Sequence, residues 1–191
     1  MDLTPEKSIW YFFVRGDVNA FSTLFKGYYS VLYDYGLKIS GNPSLTEDCL
    51  QDFFVYLYDR REGIGEVNNI RSYLFVSFRR SLFKKLKKER KFTDYDELFE
   101  SISKFEFSAE EIAIKQELTS MKTNALANLL NKLSVREREA VYLKYYSDLK
   151  TDQIARVMGI SYQSVLNTLQ KAFLKLRKVS ESEAILQVLR G

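Results

Sequence analysis

The sequence predicts an all-α protein made of two small helical domains joined by a linker, and three observations lead there. Apolar residues recur at three- and four-residue steps along most of the chain, and 191 residues suit one large or two small cores. Charge is also divided into blocks. Met1 to Arg90 carries 14 basic and 11 acidic residues (+3), Lys91 to Leu133 carries 5 and 8 (−3), and Ser134 to Gly191 carries 10 and 6 (+4). Two basic lobes flank an acidic middle, the pattern of two nucleic-acid-facing modules joined by a segment kept off the phosphates. The predicted domains are therefore residues 1–90 and 120–191, with an acidic linker over 91–119.

Composition excludes several function classes. A hydrophobic content of 46% is enough for packed cores. No basic leader precedes an apolar stretch and no apolar run reaches the roughly 18 residues a membrane span needs, so a cytoplasmic protein without stable membrane insertion is expected. Cys49 is the single cysteine and histidine is absent, which removes Cys/His zinc sites and Ser-His-Asp or Cys-His machinery. There is no glycine-rich phosphate loop. Neither an enzyme nor a metal or cofactor is expected.

In the first domain, Ala20 to Ser40 places Phe21, Leu24, Phe25, Tyr28, Leu32, Tyr35 and Ile39 on one helical face, a core helix. After a break at Gly41 to Ser44, Leu50, Phe53, Phe54 and Leu57 form the buried side of a second helix. Glu47, Asp48, Gln51, Asp52 and Asp59 lie largely elsewhere on that wheel. Acids near a helix start favour its dipole, which explains Glu47 and Asp48, but Asp52 lies too far along for that. The acidic strip suits a basic partner surface. A glycine-containing loop then ends at Asn68 and Asn69, candidate caps for a helix whose apolar band is Ile70, Leu74, Phe78 and Leu82. From Arg79 to Lys91, 8 of 13 residues are basic. Crowding cations on one helix end costs self-repulsion, which a phosphate backbone relieves. Tyr73, Phe75 and Phe83 lie partly off the band, so rings suited to stacking single-stranded bases are expected beside the basic surface.

Lys91 to Glu110 has aromatics but no helical period. It reads as an irregular tether that resumes helix near Ala109. In the second domain, Ile154, Ala155 and Met158 keep the helical period, Gly159 breaks it, and Val165, Leu169, Ala172 and Leu176 resume it. That is a helix-turn-helix, with Ala155 giving room for the crossing, Gly159 closing the first helix and Ser161 capping the second. Ser134 and Glu137 form a capping box ahead of it. With the apolar set buried, the second helix turns Gln163, Asn167, Gln170 and Lys171 outward. Amide side chains pair bidentately with adenine, so an A-containing duplex target is expected. Ser180 onward reads as a short helix or a tail.

Taken together, "EDCLQDFFVYLYDRRE", "NNIRSYLF", the basic helix, the linker and "LSVREREAVYLKYYSDLKTDQIARVMGIS" resemble a sigma-70 family factor of the extracytoplasmic-function type. The likeness spans roughly Ala20 to Lys178, and the tyrosine-rich wording of the helices resembles members from the Bacteroidetes lineage. The resemblance implies region 2 and region 4 domains, binding to core RNA polymerase, and recognition of promoter DNA as a single-stranded −10 element and a duplex −35 element. It also implies an anti-sigma factor. Asp48, Gln51 and Asp52 would contact the polymerase. Asn69, Tyr73, Phe75, Arg79, Arg80, Lys84 and Lys85 would hold the −10 strand, and Lys150, Arg156, Ser161, Tyr162, Gln163, Asn167, Gln170 and Lys171 the −35 duplex.

The chain departs from the family's pattern in three places. Leu166 and Thr168 replace common basic residues, so Lys150, Arg156 and Lys171 are left to hold phosphates. Lys150 replaces the usual capping serine, with Thr151 as a substitute one residue late. Phe78, Arg79 and Arg80 stand where Ala-Arg-Asn is common. A helix-turn-helix regulator that binds DNA without polymerase, dimerising through its first lobe, remains the alternative, and a helical adaptor for an acidic protein is a third.

Overall fold

A computed structural model describes residues 5–65, 67–90, 105–115 and 120–180. Contacts divide the chain into two compact units, Met1–Lys104 and Phe105–Gly191. Every described element is helical or irregular.

The first unit begins with α1, Pro5–Val14, which the periodicity of the later segments did not foresee. Gly16, at φ 90°, turns the chain, and the Asp17 carboxylate accepts from the Ala20 amide at 2.8 Å to start α2, Val18–Ser40. Gly41 closes α2 in the left-handed conformation at φ 63°. Asn42 then caps α3, Pro43–Asp59, with proline in its first turn. A 3₁₀ turn, Arg61–Gly63, leads towards α4, Ile70–Arg90. The Tyr28 hydroxyl donates to the Glu6 carboxylate and ties α1 to α2; burial first, and then this partner, push the phenol well above its usual range.

The expected core faces are found, with two differences. Leu24, Tyr28, Leu32, Tyr35 and Ile39 of α2 are buried, whereas Phe21 and Phe25 lie half-buried at the edge, in ring contact with Phe54. The band of α4 is wider than Ile70, Leu74, Phe78 and Leu82, because Phe75, Phe83 and Leu86 are enclosed too. A helix sandwiched between two others buries more than one stripe. Its closest approach is at Gly36 of α2, where an added Cβ would lie 2.8 Å from both the Phe78 ring and the Thr46 methyl.

The second unit contains α5, Ala109–Lys115, α6, Ser120–Leu130, α7, Val135–Tyr145, α8, Thr151–Met158, and α9, Tyr162–Ser180. Helix resumes at Ala109 as expected, but residues 105–115, assigned to the linker from sequence, are built into this unit. Phe105 is fully buried and Phe107 nearly so, with rings against Tyr142 and Tyr146. The Asn131 side chain clasps the Phe107 backbone, accepting from its amide at 2.9 Å and donating to its carbonyl at 3.0 Å. The physical reason is that two buried rings outweigh the acidic character of the neighbouring residues. Residues 91–104 and 116–119 of the predicted linker, and the tail beyond Ser180, lie outside the described residues.

The Ser134 and Glu137 capping box is present, and both Glu137 oxygens also accept from Lys175 Nζ of α9 at 2.8 Å. Burial raises the Glu137 carboxyl, but the bonds from Lys175 and Ser134 outweigh it, so its pKa lies below the ordinary value. Among the described residues no helix is long and apolar enough to cross a membrane.

Two expectations follow from the packing. Gly36→Ala should cost about 1–3 kcal/mol through overpacking, read as a lower urea midpoint. Gly27→Ala, on the same helix with nothing within 4 Å of the added carbon, should instead gain about 0.5–1 kcal/mol. A group whose folded pKa is depressed contributes stability above its unfolded pKa and loses it as pH falls through the folded one. Glu137→Gln should therefore be less stable than the parent at pH 7, with the gap in unfolding midpoint closing below about pH 4.5, the ordinary value.

Candidate nucleic-acid and polymerase interfaces

α3 turns one side outward over its whole length. Glu47, Asp48, Gln51, Asp52 and Asp59 are exposed, as the wheel predicts. The face is not purely acidic, because Val55 and Tyr56 are 61% and 62% exposed beside them. These two were missed, although they sit one turn beyond Gln51 and Asp52 and their spacing alone places them on that face. Asp52 also accepts from Lys85 Nζ at 3.2 Å, and with the carboxylate itself largely solvated the bond holds little energy.

Between the end of α3, the loop after it and α4 lies a cleft of about 830 Å³. Phe53 and Leu57, buried in the core, and Ile64 form its apolar floor, and Arg60, Arg80 and Lys84 line it with cations. Tyr56 and Tyr73 supply rings, Ser77 and Ser81 hydroxyls, and Gly63 and Gly65 keep the loop side open. Behind Tyr73, Trp10 of α1 packs edge-on at 5.4 Å between ring centroids. Burial raises the Tyr73 phenol, and its hydrogen bond with Ser77 pulls the other way.

Of the residues read from sequence as holding a single strand, Tyr73, Arg80 and Lys84 line this cleft. Asn69 is the N-cap of α4, accepting from the Ser72 amide at 2.7 Å, and Lys85 is turned to Asp52. Two assignments are corrected. Phe75 is fully buried against Tyr35, and Arg79 is only 6% exposed with its guanidinium 4.6 Å from the Phe83 ring centre. Neither presents a surface to a base or phosphate. Arg79 was read as part of a uniform basic run, but α4 is packed on more than one side, so successive arginines fall on opposite sides of the burial boundary. Phe83 is likewise in the core and not beside the basic surface. The reading also missed Tyr56, Arg60, Ser77 and Ser81, which reach the cleft only because α3 and α4 converge there.

In the second unit Gly159 adopts φ 67°, and its amide donates to the Ala155 carbonyl to end α8. The Ser161 hydroxyl accepts from the Ser164 amide at 3.0 Å and starts α9. Lys150 is the N-cap of α8 without a side-chain bond of its own. Thr151 does not substitute for it: it is the first helical residue, and Gln153 reaches back to accept from the Lys150 amide at 2.8 Å. A glutamine three residues into the helix does half the work of a capping box. Val165, Leu169 and Ala172 are buried and Leu176 half-buried, while Gln163, Asn167, Gln170 and Lys171 are exposed as the wheel predicts, and Ser161 and Tyr162 are exposed too. Gln163 donates to Asn167 at 3.1 Å, so the free face keeps its amides mutually bonded. Lys150 is exposed, and Arg156 pairs with Asp152 at 2.6 Å on the solvent side of α8. Beside Tyr162, Leu166, Phe173 and Leu174 add exposed apolar area that the sequence reading did not single out as a surface.

Residues 123–176 match the family model for sigma-70, region 4. Over 158 residues the chain is 23% identical to the RNA polymerase sigma factor YlaC of Bacillus subtilis, covering 81% of this chain and 88% of that protein. Over 175 residues it is 25% identical to the ECF RNA polymerase sigma factor SigL of Mycobacterium tuberculosis, covering 86% and 93%. Among solved structures, CnrH in complex with the cytosolic domain of CnrY superposes with a TM-score of 0.58 at 17% identity, covering 92% of this chain and 96% of that one. The sigma factor RpoE, solved with the anti-sigma factor NepR from Bartonella quintana, gives 0.59 at 20% identity over 87% and 99%. These structures show that the fold is shared along nearly the whole chain.

Proposed function

We propose that this chain, a member of the sigma-70 family of the extracytoplasmic-function type, is an alternative sigma factor that binds core RNA polymerase and directs it to promoters. The observation that carries the reading is the joining in one chain of a cation-lined cleft beside an exposed acidic helix with a helix-turn-helix unit. In this reading the first unit acts as region 2, with Asp48, Gln51 and Asp52 of α3 meeting the polymerase and Val55 and Tyr56 extending that contact. The cleft receives an unstacked base of the −10 strand, with Tyr73 as a stacking ring and Arg80 and Lys84 holding phosphates. The second unit acts as region 4 and lays α9 in the major groove of the −35 duplex.

The chain is a transcription initiation factor and not an enzyme in this reading, it works in the cytoplasm, and an anti-sigma factor is its antagonist. The likeness to the sigma factor RpoE, solved with the anti-sigma factor NepR, supports that last assignment. A regulator acting without polymerase is not favoured, since the relatives that span both units are sigma factors.

Mixing the purified chain with core polymerase is expected to give a co-eluting complex and promoter-specific transcripts; a chain that ignores the polymerase refutes the reading. Because Gln163 and Asn167 must exchange their mutual bond for base edges, Ala at either position should relax −35 base preference by about 1–3 kcal/mol in competition binding. Lys171→Ala should instead weaken binding across sequences and lower the salt slope by about 1.

A further inference from the structure

We infer that Leu166 of α9 reads a thymine in the −35 duplex through that base's 5-methyl group, an inference that rests on the reading of α9 as the helix laid in the major groove. Leu166 stands in the second turn of α9 and is 37% exposed, within the row of side chains turned outward there. Its neighbours one turn away include Tyr162 and Gln163 before it and Gln170 after it, all exposed, and exposed Asn167 follows it directly. The remaining neighbour, Leu169, is only 8% exposed, so the isobutyl group has an apolar shoulder on one side and amides on the others. A lone apolar side chain on a surface is ordinary. One set among amides in a base-reading row constrains the base opposite it, because leucine neither donates nor accepts a hydrogen bond.

The major groove presents hydrogen-bonding atoms along every base pair, and thymine alone adds a methyl group to them. Laid against the exocyclic amine of adenine or cytosine, or against O6 and N7 of guanine, Leu166 would displace water from a polar atom and return no bond. Against the thymine methyl it removes apolar surface from water on both partners. Ser164 and Thr168 lie around the helix from Leu166, where Ser164 bonds to Ser161 at 2.8 Å and Thr168 donates to the Ser164 carbonyl at 2.8 Å. Phe173, the exposed ring on the same border of α9, lies about 10 Å further along the helix and packs edge-on against Tyr145 of α7, 6.0 Å between centroids. Leu166 is therefore separate from that ring pair and belongs with Gln163 and Asn167. With those two amides assigned to adenine, the methyl group belongs to a base pair beside theirs.

The test uses the full chain assembled with core RNA polymerase. Duplexes are selected from a pool randomised over the −35 region, and each thymine of the selected duplex is then replaced by deoxyuridine, which removes the methyl group and leaves every hydrogen-bonding atom in place. One position, next to an adenine, is expected to lose about fourfold in affinity, the worth of one buried methyl group. Leu166→Ala should weaken the thymine duplex by at least as much and make deoxyuridine at that position cost nothing further. The parent's own response needs no variant, so a folding defect in Leu166→Ala could not mask the result. A selected duplex without thymine, deoxyuridine tolerated at every position by the parent, or an equal loss in parent and variant overturns the inference while leaving α9 as the reading helix. If deoxyuridine is harmless to the parent and Leu166→Ala instead loses its co-elution with core polymerase, the side chain serves a protein surface and the inference falls. Selection of no duplex at all brings down the reading of α9, and the inference with it.

Discussion

The first unit depends on one close approach, the Phe78 ring and the Thr46 methyl meeting the bare backbone of Gly36. With no side chain at that point, α4 can settle against α2 and α3 together, and its rotation about its own axis is fixed by the contact. That rotation decides which basic residues are usable. Arg79 is turned into the core over Phe83, and its neighbour Arg80 is turned into the cleft. A helix rotated by one residue would carry Arg80 into the core position that Arg79 now fills. The electrostatics of the cleft is thus set by a packing contact among apolar groups.

The second unit is held by a polar counterpart. Glu137 closes the start of α7 through its capping box and takes Lys175 of α9 in the same carboxylate. The pair is asymmetric in exposure, the Glu137 side chain being 7% accessible and Lys175 54%. The carboxylate is therefore enclosed while its cation still reaches water, which limits the desolvation that makes fully buried pairs costly. Together with the left-handed turn at Gly159, this holds α9 against the body of the unit, with its amide-bearing face free.

Much of this was legible in the sequence, for reasons that differ from element to element. The helix-turn-helix was legible because local rules govern it: a glycine at the turn, a serine cap and a 3.6-residue period are all properties of adjacent residues. The outer strip of α3 was legible for the same reason. The cleft was not, because Tyr56, Arg60, Ser77 and Ser81 share no local pattern and meet only once α3 and α4 are packed. Phe75 and Arg79 were misplaced because a wheel assumes one buried stripe, and a helix between two neighbours has more. Thr151 is not the cap, because the group that reaches back to the Lys150 amide is Gln153, three residues on, and a cap search confined to the position itself cannot find it.

The hold of Asn131 on Phe107 separates two kinds of residue in what the sequence presents as a single connecting stretch. From Phe107 into α5 the spacing is a matter of register, since adding or removing one residue there would pull a ring from its seat. The clasp therefore makes Phe105 and Phe107 as intolerant of insertion as residues inside a helix, although neither lies in one.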